Sequence, residues 1–484
     1  MNAAKRSVRN DEPLAYPKFK THFSEFIGIG ANGHLWVDGV DTVELAKKFG
    51  TPLYVWSENQ LRHNFRRFRD AWEAEYPKVE VLFANKSNNG LAIRHIMNQE
   101  GAGGDAFGYN ELYFALLAGA DPKKTVLNGS NKGDEELELA IANGVCINID
   151  AMDELDRIDR VAKRMGATDV ELGIRVKLIL NPLKKRFGAA MHGDGSMQEQ
   201  ALSHKWGMTI DETCILVKRI AKMKGLRLTE LHYHLSRMGN EARDFAIMAR
   251  EMIEWTAKVR DRTGFTPEAI DIGGGWTFGR KGGTGPAGAD DESAATFEEY
   301  AKAVCRAIKE ECAKRKLTLP TLKMEPGRSL SGNMGIALGR VGSIKRHPSK
   351  TWINVDMSSN FLPHVNFAHW YFPIVVANRA TAKGTEVVDV VGPLCSSDEL
   401  GVKRKLPKLE RDDLLAFLDA GGYQESVAGR FNAQCMPAAI LISGKNAEVV
   451  SERETVGDVM RRFRVPPRLL AKSQAIKSKV SSRY

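Results

Sequence analysis

From residue 81 onward the chain alternates short apolar runs with longer stretches in which apolar positions recur every three to four residues. The short runs cover residues 81–86, 104–107, 125–128, 146–150, 170–177, 227–234, 269–273 and 322–325. The periodic stretches cover residues 110–118, 134–143, 153–165, 211–223, 241–260 and 296–315. Short apolar runs bounded by polar turns predict buried strands, and apolar spacing near 3.6 predicts amphipathic helices. Eight strands alternating with helices predict an α/β fold, a parallel (β/α)8 barrel of the TIM type. A doubly wound open sheet would leave a similar string, so periodicity alone leaves closure open.

The texture differs on both sides of this region. Residues 26–56 read as strands around Gly33 and Gly39 with one helical turn at 43–46. Beyond residue 325, strand-like runs at 336–341, 351–355, 385–391, 414–418, 438–442 and 447–450 are punctuated by Gly, Pro and Ser. They predict an antiparallel C-terminal β domain, a barrel or a sandwich. The early strands are too few to be stable alone and are expected to join it. The resulting division is a flexible arm at 1–22, strands of the β domain at 23–57, the barrel at 58–328, the β domain at 329–465 and a basic tail at 466–484.

Composition narrows the class. With 484 residues, 43% hydrophobic and 27% charged, the chain has ample material for two globular domains. The net charge of +10 is dispersed, its densest clusters being Lys184-Lys185-Arg186 and the tail, which argues against a nucleic-acid groove. The six cysteines, Cys146, Cys214, Cys305, Cys312, Cys395 and Cys435, show neither a CxxC pair nor metal-ligand spacing. No metal site and no disulfide scaffold are expected from them. The sequence lacks a membrane-length apolar run, and its first 13 residues lack an apolar signal core. A cytoplasmic protein with no membrane partner is expected. Asn128-Gly129-Ser130 matches a glycosylation acceptor only formally.

In a (β/α) barrel the reactive side chains project from the C-terminal strand ends, and here those ends are polar. The first carries Lys86, the second Asp105, the one near residue 170 Arg175; later ends carry His232-Tyr233-His234, Asp271-Ile272-Gly273-Gly274-Gly275 and Glu325-Pro326-Gly327-Arg328. An ammonium closing a buried strand costs several kcal/mol of desolvation, so Lys86 is either solvated or kept for chemistry. Three glycines let backbone N–H groups approach an anion closely, although such a run is often only a flexible turn. Lysine, phosphate cradle, histidine and carboxylate in one mouth match what pyridoxal phosphate requires.

The ordered motifs Phe83-Ala84-Asn85-Lys86, Gly101-Ala102-Gly103-Gly104-Asp105, Glu111-Leu112, Asn128-Gly129-Ser130-Asn131-Lys132, His232-Tyr233-His234, Gly273-Gly274-Gly275, Glu325-Pro326-Gly327-Arg328, Gly392-Pro393-Leu394-Cys395 and Gly421-Gly422-Tyr423 resemble the fold type III pyridoxal-phosphate decarboxylases, the group of diaminopimelate and ornithine decarboxylases. The likeness runs from about residue 33 to 450. It implies that Lys86 forms the internal aldimine with pyridoxal 5'-phosphate, that His234 stacks on the ring and that Glu325 faces the pyridine nitrogen. Otherwise a strand histidine is commonly a core residue and Glu325 a rim salt bridge. The likeness also implies phosphate contacts from Gly273, Gly274, Gly275, Arg328 and Tyr423, with Arg175 and Glu111 as weaker supporting candidates. Cys395 of the partner subunit would complete the site of a homodimer and serve in reprotonation, where a lone cysteine is ordinarily a small buried hydrophobe.

Departures from the family pattern bear on the substrate, and the loss of both distal-end contacts argues against diaminopimelate itself. Diaminopimelate decarboxylases usually follow the cysteine with Glu-Ser, whereas Ser396-Ser397-Asp398 follow Cys395 here. The arginine that clamps a distal carboxylate in those enzymes is replaced by Leu362 or His364, depending on the alignment gap. Asp356 and Asp398 are candidates for a distal amine, and Arg237, in a segment where relatives carry Gly-Ser, for a carboxylate or phosphate. Residues 367–372 and 377–379 are similar to a branch that includes D-ornithine and D-lysine decarboxylases. The leading expectation is a homodimeric decarboxylase of a basic or diamino amino acid, D configuration included. The alternatives are meso-diaminopimelate decarboxylation in lysine synthesis, a racemase, and a catalytically silent relative that binds a protein partner.

Overall fold

A computed structural model describes residues 25–180, 183, 204–234, 241–277, 295–367 and 370–469. The chain divides into two compact units, Gln60–Asn333 and the combination of Met1–Asn59 with Met334–Tyr484. The expected arm at 1–22 lies outside the described residues, as do Arg237 and the tail beyond residue 469.

The second of these units begins with β1 (Ile27–Ile29), β2 (Leu35–Val37) and β3 (Val40–Asp41), a small antiparallel sheet. The helical turn predicted at 43–46 is a full helix, α1 (Thr42–Phe49), because Asp41 caps it by accepting from Val43 N. β4 (Leu53–Ser57) follows, buried along its whole length. Leu35 and Val37 share one core with Leu53, Val55, Ile336 and Ile440, so the small sheet buries its apolar face against later strands.

Helix α2 (Glu58–Glu73) leads into the barrel, with Leu61, Phe65, Phe68 and Trp72 on its buried face. The barrel strands are β5 (Val79–Ala84), β6 (Gly103–Phe107), β7 (Thr125–Asn128), β8 (Cys146–Ile149), β9 (Val170–Arg175), β10 (Leu226–His232), β11 (Ala269–Asp271) and β12 (Thr321–Met324). All pairings among them are parallel, and β12 pairs with β5 while β9 pairs with β10, which closes the ring. Closure settles the alternative of an open doubly wound sheet. Six of the eight barrel strands stop one or two residues earlier than the apolar pattern suggests, β5 and β11 among them. β5 ends at Ala84 and the chain turns through a single 3₁₀ turn, Asn85–Ser87. β11 ends at Asp271 because Gly273 takes φ +67°, outside the pleated region.

The outer helices bury one face each. The helix Phe297–Arg315 opens with a capping box, Thr296 accepting from Glu299 N, and buries Phe297, Tyr300, Val304 and Ile308. Phe68, Trp72, Phe245, Trp276, Phe297 and Tyr300 form an aromatic cluster, with Trp276 stacked 4.0 Å from Phe245 and edge-on to Trp72 at 5.0 Å. Such rings bury large apolar areas in preferred geometries. Trp276 Nε1 also donates to Gly273 O at 3.0 Å, so the cluster anchors the glycine run.

The remaining strands are β13 (Gly335–His347), β14 (Lys350–Val355), β15 (Ile374–Val376), β16 (Glu386–Val391), β17 (Glu399–Leu406), β18 (Leu414–Leu418), β19 (Ala438–Ser443) and β20 (Asn446–Ser451). With β4 they make one nine-stranded sheet in the order β17-β16-β14-β13-β4-β19-β20, with β18 on β13 and β15 on β18. The antiparallel expectation needs correction: β14 with β16 and β4 with β19 are parallel pairs. No helix among the described residues is long and apolar enough to cross a membrane.

Candidate active site

The barrel's strand ends gather into one polar network. Lys86 sits in the turn after β5, and its Nζ pairs with the carboxylate of Asp105 on β6 while lying 4.7 Å above the Phe107 ring. Asp105 is fully buried; its other oxygen accepts from Asn128 Nδ2, at the end of β7, at 2.8 Å. The same Nδ2 donates to Glu325 Oε1 at 2.7 Å. His232, at the end of β10, places Nε2 3.4 Å from that Glu325 oxygen. His232, Asp271 and Glu325 offer ligand-type atoms all within 4.8 Å of one another.

Electrostatics differentiate these acids. Burial acts to raise the Glu325 pKa, but His232, Lys86 and His234 outweigh it and hold the carboxyl well below its usual range. Asp105 is raised by burial and by the Glu325 charge, with Lys86 opposing. Asp271 is raised well above the ordinary value, first by burial and then by Glu325. Glu111 accepts from Phe107 N at 2.8 Å and is pushed up to about 7, chiefly by burial. His234 is pushed down to about 3 by loss of water, so its ring is neutral near neutral pH.

The glycine run lies beside this network. A Cβ on Gly274 would stand 2.5 Å from Glu325 O and 3.2 Å from His234 Nε2, and one on Gly273 would stand 2.7 Å from Tyr233 O. Gly273 and Gly275 have φ of +67° and +93°, which glycine adopts at no steric cost. Arg328 follows Glu325-Pro326-Gly327 and opens a short helical turn. Arg175 lies 3.9 Å from Asp150 and 5.6 Å from the Trp206 ring.

These residues fit pyridoxal phosphate. Glu325 Oε2 is buried without a hydrogen-bond partner, as an acceptor for a ring N–H must be, and the adjacent glycines leave their backbone unobstructed by side chains. Lys86, Glu325, His234 and the glycines are thus brought into one neighbourhood.

The other unit holds the remaining candidates. Cys395 is exposed; its Sγ accepts from Asn432 Nδ2 at 3.4 Å and its N donates to Asn432 Oδ1 at 3.1 Å. Tyr423 has φ +60°, and its ring lies 5.7 Å from the ring of His364, which packs 4.2 Å from Trp370. Two acids expected near a substrate amine are otherwise engaged. Asp398 is fully buried, its oxygens accepting from Ser359 N at 2.7 Å and Leu394 N at 3.0 Å. Asp356 accepts from Arg340 N at 2.7 Å and from Thr51 Oγ1 at 2.5 Å.

Asp105, Asn128, His232 and Asp271 received no individual role from sequence. Their signal was the recurrence of polar side chains at barrel strand ends. Asn128 is 1% exposed, so the formal glycosylation acceptor is closed by burial.

A closed parallel barrel with a lysine, a glycine cradle and an ionised carboxylate at its strand ends defines a cofactor enzyme of the pyridoxal-phosphate class. The pyridoxal-binding domain of the pyridoxal-dependent decarboxylases matches residues 62–332, and the chain belongs to that family. It is 33% identical to the diaminopimelate decarboxylase of Methanothermobacter thermautotrophicus over 92% of this chain and 99% of that one. It is 32% identical to the diaminopimelate decarboxylase of Methanocaldococcus jannaschii over 91% of this chain and 97% of that one. The structure of the M. jannaschii enzyme with L-lysine superposes with a TM-score of 0.84 at 31% identity, covering 92% of this chain and 99% of that one. The chain is therefore a pyridoxal-phosphate-dependent amino-acid decarboxylase acting on a basic or diamino amino acid.

Proposed function

We propose that the substrate is diaminopimelate and the products are lysine and carbon dioxide. The observation that carries this reading is the near end-to-end match, at 33% identity, to a relative named for that reaction. The missing glutamate after Cys395 and the missing distal arginine argue the other way, and a match of that extent outweighs them. The likeness to D-ornithine and D-lysine decarboxylases at 367–372 is short beside a match of 445 residues.

In this reading pyridoxal phosphate, when bound, supplies an electron sink for the pair left behind as carbon dioxide departs. Lys86 holds the cofactor covalently through Nζ, and Asp105 orients the amine. Glu325, ionised, keeps a proton at the ring nitrogen. His234, neutral, would stack on the ring, while Gly273, Gly274, Gly275 and Arg328 would hold the phosphate and Arg175 and Glu111 would line its surroundings. The partner subunit's Cys395 delivers a proton to the α-carbon, which makes the working unit a homodimer.

Purified protein given pyridoxal phosphate and meso-diaminopimelate is expected to release carbon dioxide and lysine in equal amounts. Release from D-ornithine or D-lysine with none from diaminopimelate overturns the substrate. Deuterium uptake at the α-carbon without carbon dioxide would point to a racemase.

A further inference from the structure

Asn128 donates from one amide nitrogen to two carboxylates, Asp105 Oδ1 at 2.8 Å and Glu325 Oε1 at 2.7 Å. These are the partner of Lys86 and the acid assigned to the ring nitrogen, so the amide ties together two ends of the reaction site. An asparagine amide has two orientations that look alike by shape, and hydrogen bonding decides between them. Here the reversed orientation would point Oδ1 at two carboxylates, which is repulsive. On the far side Asn128 Oδ1 accepts from Asn148 Nδ2, at the end of β8, at 3.0 Å. Asn148 is 1% exposed, and its backbone oxygen accepts from buried Lys132 Nζ at 2.6 Å. Its side chain lies over residue 173 of the neighbouring strand β9, which is glycine. A Cβ there would lie 1.8 Å from Asn148 Oδ1.

We propose that Asn128 is a positioning residue that sets the Asp105 and Glu325 carboxylates with a single amide, and that Asn148 orients that amide. The inference rests on the reading that Lys86 and Glu325 hold pyridoxal phosphate. Donation to an ionised carboxylate stabilises the charged form, and such a bond is stronger than a neutral one. Losing it from both acids at once makes each take up a proton more readily. Glu325 then releases its hold on the ring nitrogen at a higher pH, and Asp105 likewise gives up its ionic pairing with Lys86 at a higher pH than in the wild type. A residue that only filled space would change folding stability and leave these properties where they were.

The test compares wild type, Asn128→Leu, which fills the volume without donors, and Asn148→Ala, which lies one residue further from the reacting groups. Each is titrated with pyridoxal phosphate by visible absorbance, then acidified to find the pH at which the cofactor is released. Thermal midpoints are measured without cofactor. Asn128→Leu is expected to bind pyridoxal phosphate roughly tenfold to a hundredfold more weakly, the range for a hydrogen bond to a charged group. Its acid-release midpoint is expected to move up by about one pH unit. Asn148→Ala should move both quantities in the same direction by less, and serves alone if Asn128→Leu does not fold. Variants that lose thermal stability but keep the wild-type affinity and release pH overturn the proposal. Wild-type protein that takes up no cofactor overturns the underlying reading of the site, and the proposal with it.

Discussion

Lys86, in the turn after β5, faces Asp105 on the neighbouring strand β6, with the carboxylate fully buried and a third of the lysine side chain, 33%, still exposed. The pair is therefore asymmetric: the acid depends on the lysine far more than the lysine depends on the acid. Removing Lys86 leaves a buried carboxylate whose raised pKa climbs further, since Lys86 is one of the forces lowering it. A raised acid contributes stability that is present below its unfolded value of 3.8 and lost as pH rises through the folded value. Lys86→Ala, free of cofactor, is expected to show a stability deficit against wild type that grows as pH rises from about 4 to about 8. Urea unfolding at both ends of that range measures it; a deficit independent of pH would contradict the dependence.

Glu111 is raised from 4.5 to about 7, so it too favours the folded state in its protonated form. Its contribution is lost as pH rises through about 7. Glu111→Gln, permanently neutral, is expected to remove this loss, worth up to ~3 kcal/mol. Thermal midpoints of the two proteins at pH values below 5 and above 8 (roughly bracketing the shift) should converge at the acid end and favour the variant at the alkaline end.

Asp398 satisfies two backbone N–H groups around the turn that carries Cys395, and it does so with φ +45°. Asp398→Ala leaves both donors without that acceptor and is expected to cost ~3 kcal/mol in urea unfolding. The ratio of kcat/KM between diaminopimelate and other diamino acids should stay at the wild-type value. A changed ratio with unchanged stability would return this residue to the substrate.

Cys395 is exposed, so Cys395→Ser is expected to leave unfolding free energy within ~0.5 kcal/mol of wild type. The proposed role as proton donor sets the loss in kcat at about a hundredfold or more, with cofactor absorbance intact. Stopped-flow absorbance and steady-state turnover check this together.

The barrel strands were readable because they are buried on both faces, and so either run apolar, as Val81-Leu82-Phe83-Ala84 does, or interleave apolar residues with single polar ones, as Cys146-Ile147-Asn148-Ile149 and Leu322-Lys323-Met324 do. Much of what escaped was amphipathic or charged. The helix Glu58–Glu73 carries its four large apolar side chains within an arginine-rich sequence, and β17 (Glu399–Leu406) is an edge strand whose lysines and arginine mask its alternation. In the site, Lys86, His234, Glu325 and the glycines stood out because their types announce a chemistry. Asn128 did not, since an asparagine beside a glycine reads as a turn until the strands on either side are known. Asp356 and Asp398 looked like substrate acids for the same reason, because sequence shows a carboxylate and hides the backbone groups that occupy it.

The assignment of Lys86 is tested most directly by reducing the yellow holoenzyme with borohydride, digesting it and locating the pyridoxyl group by mass spectrometry. The expected result is one modified peptide containing residues 83–90, with the label on Lys86. Label on another lysine, or a protein that takes none, would contradict the site described here.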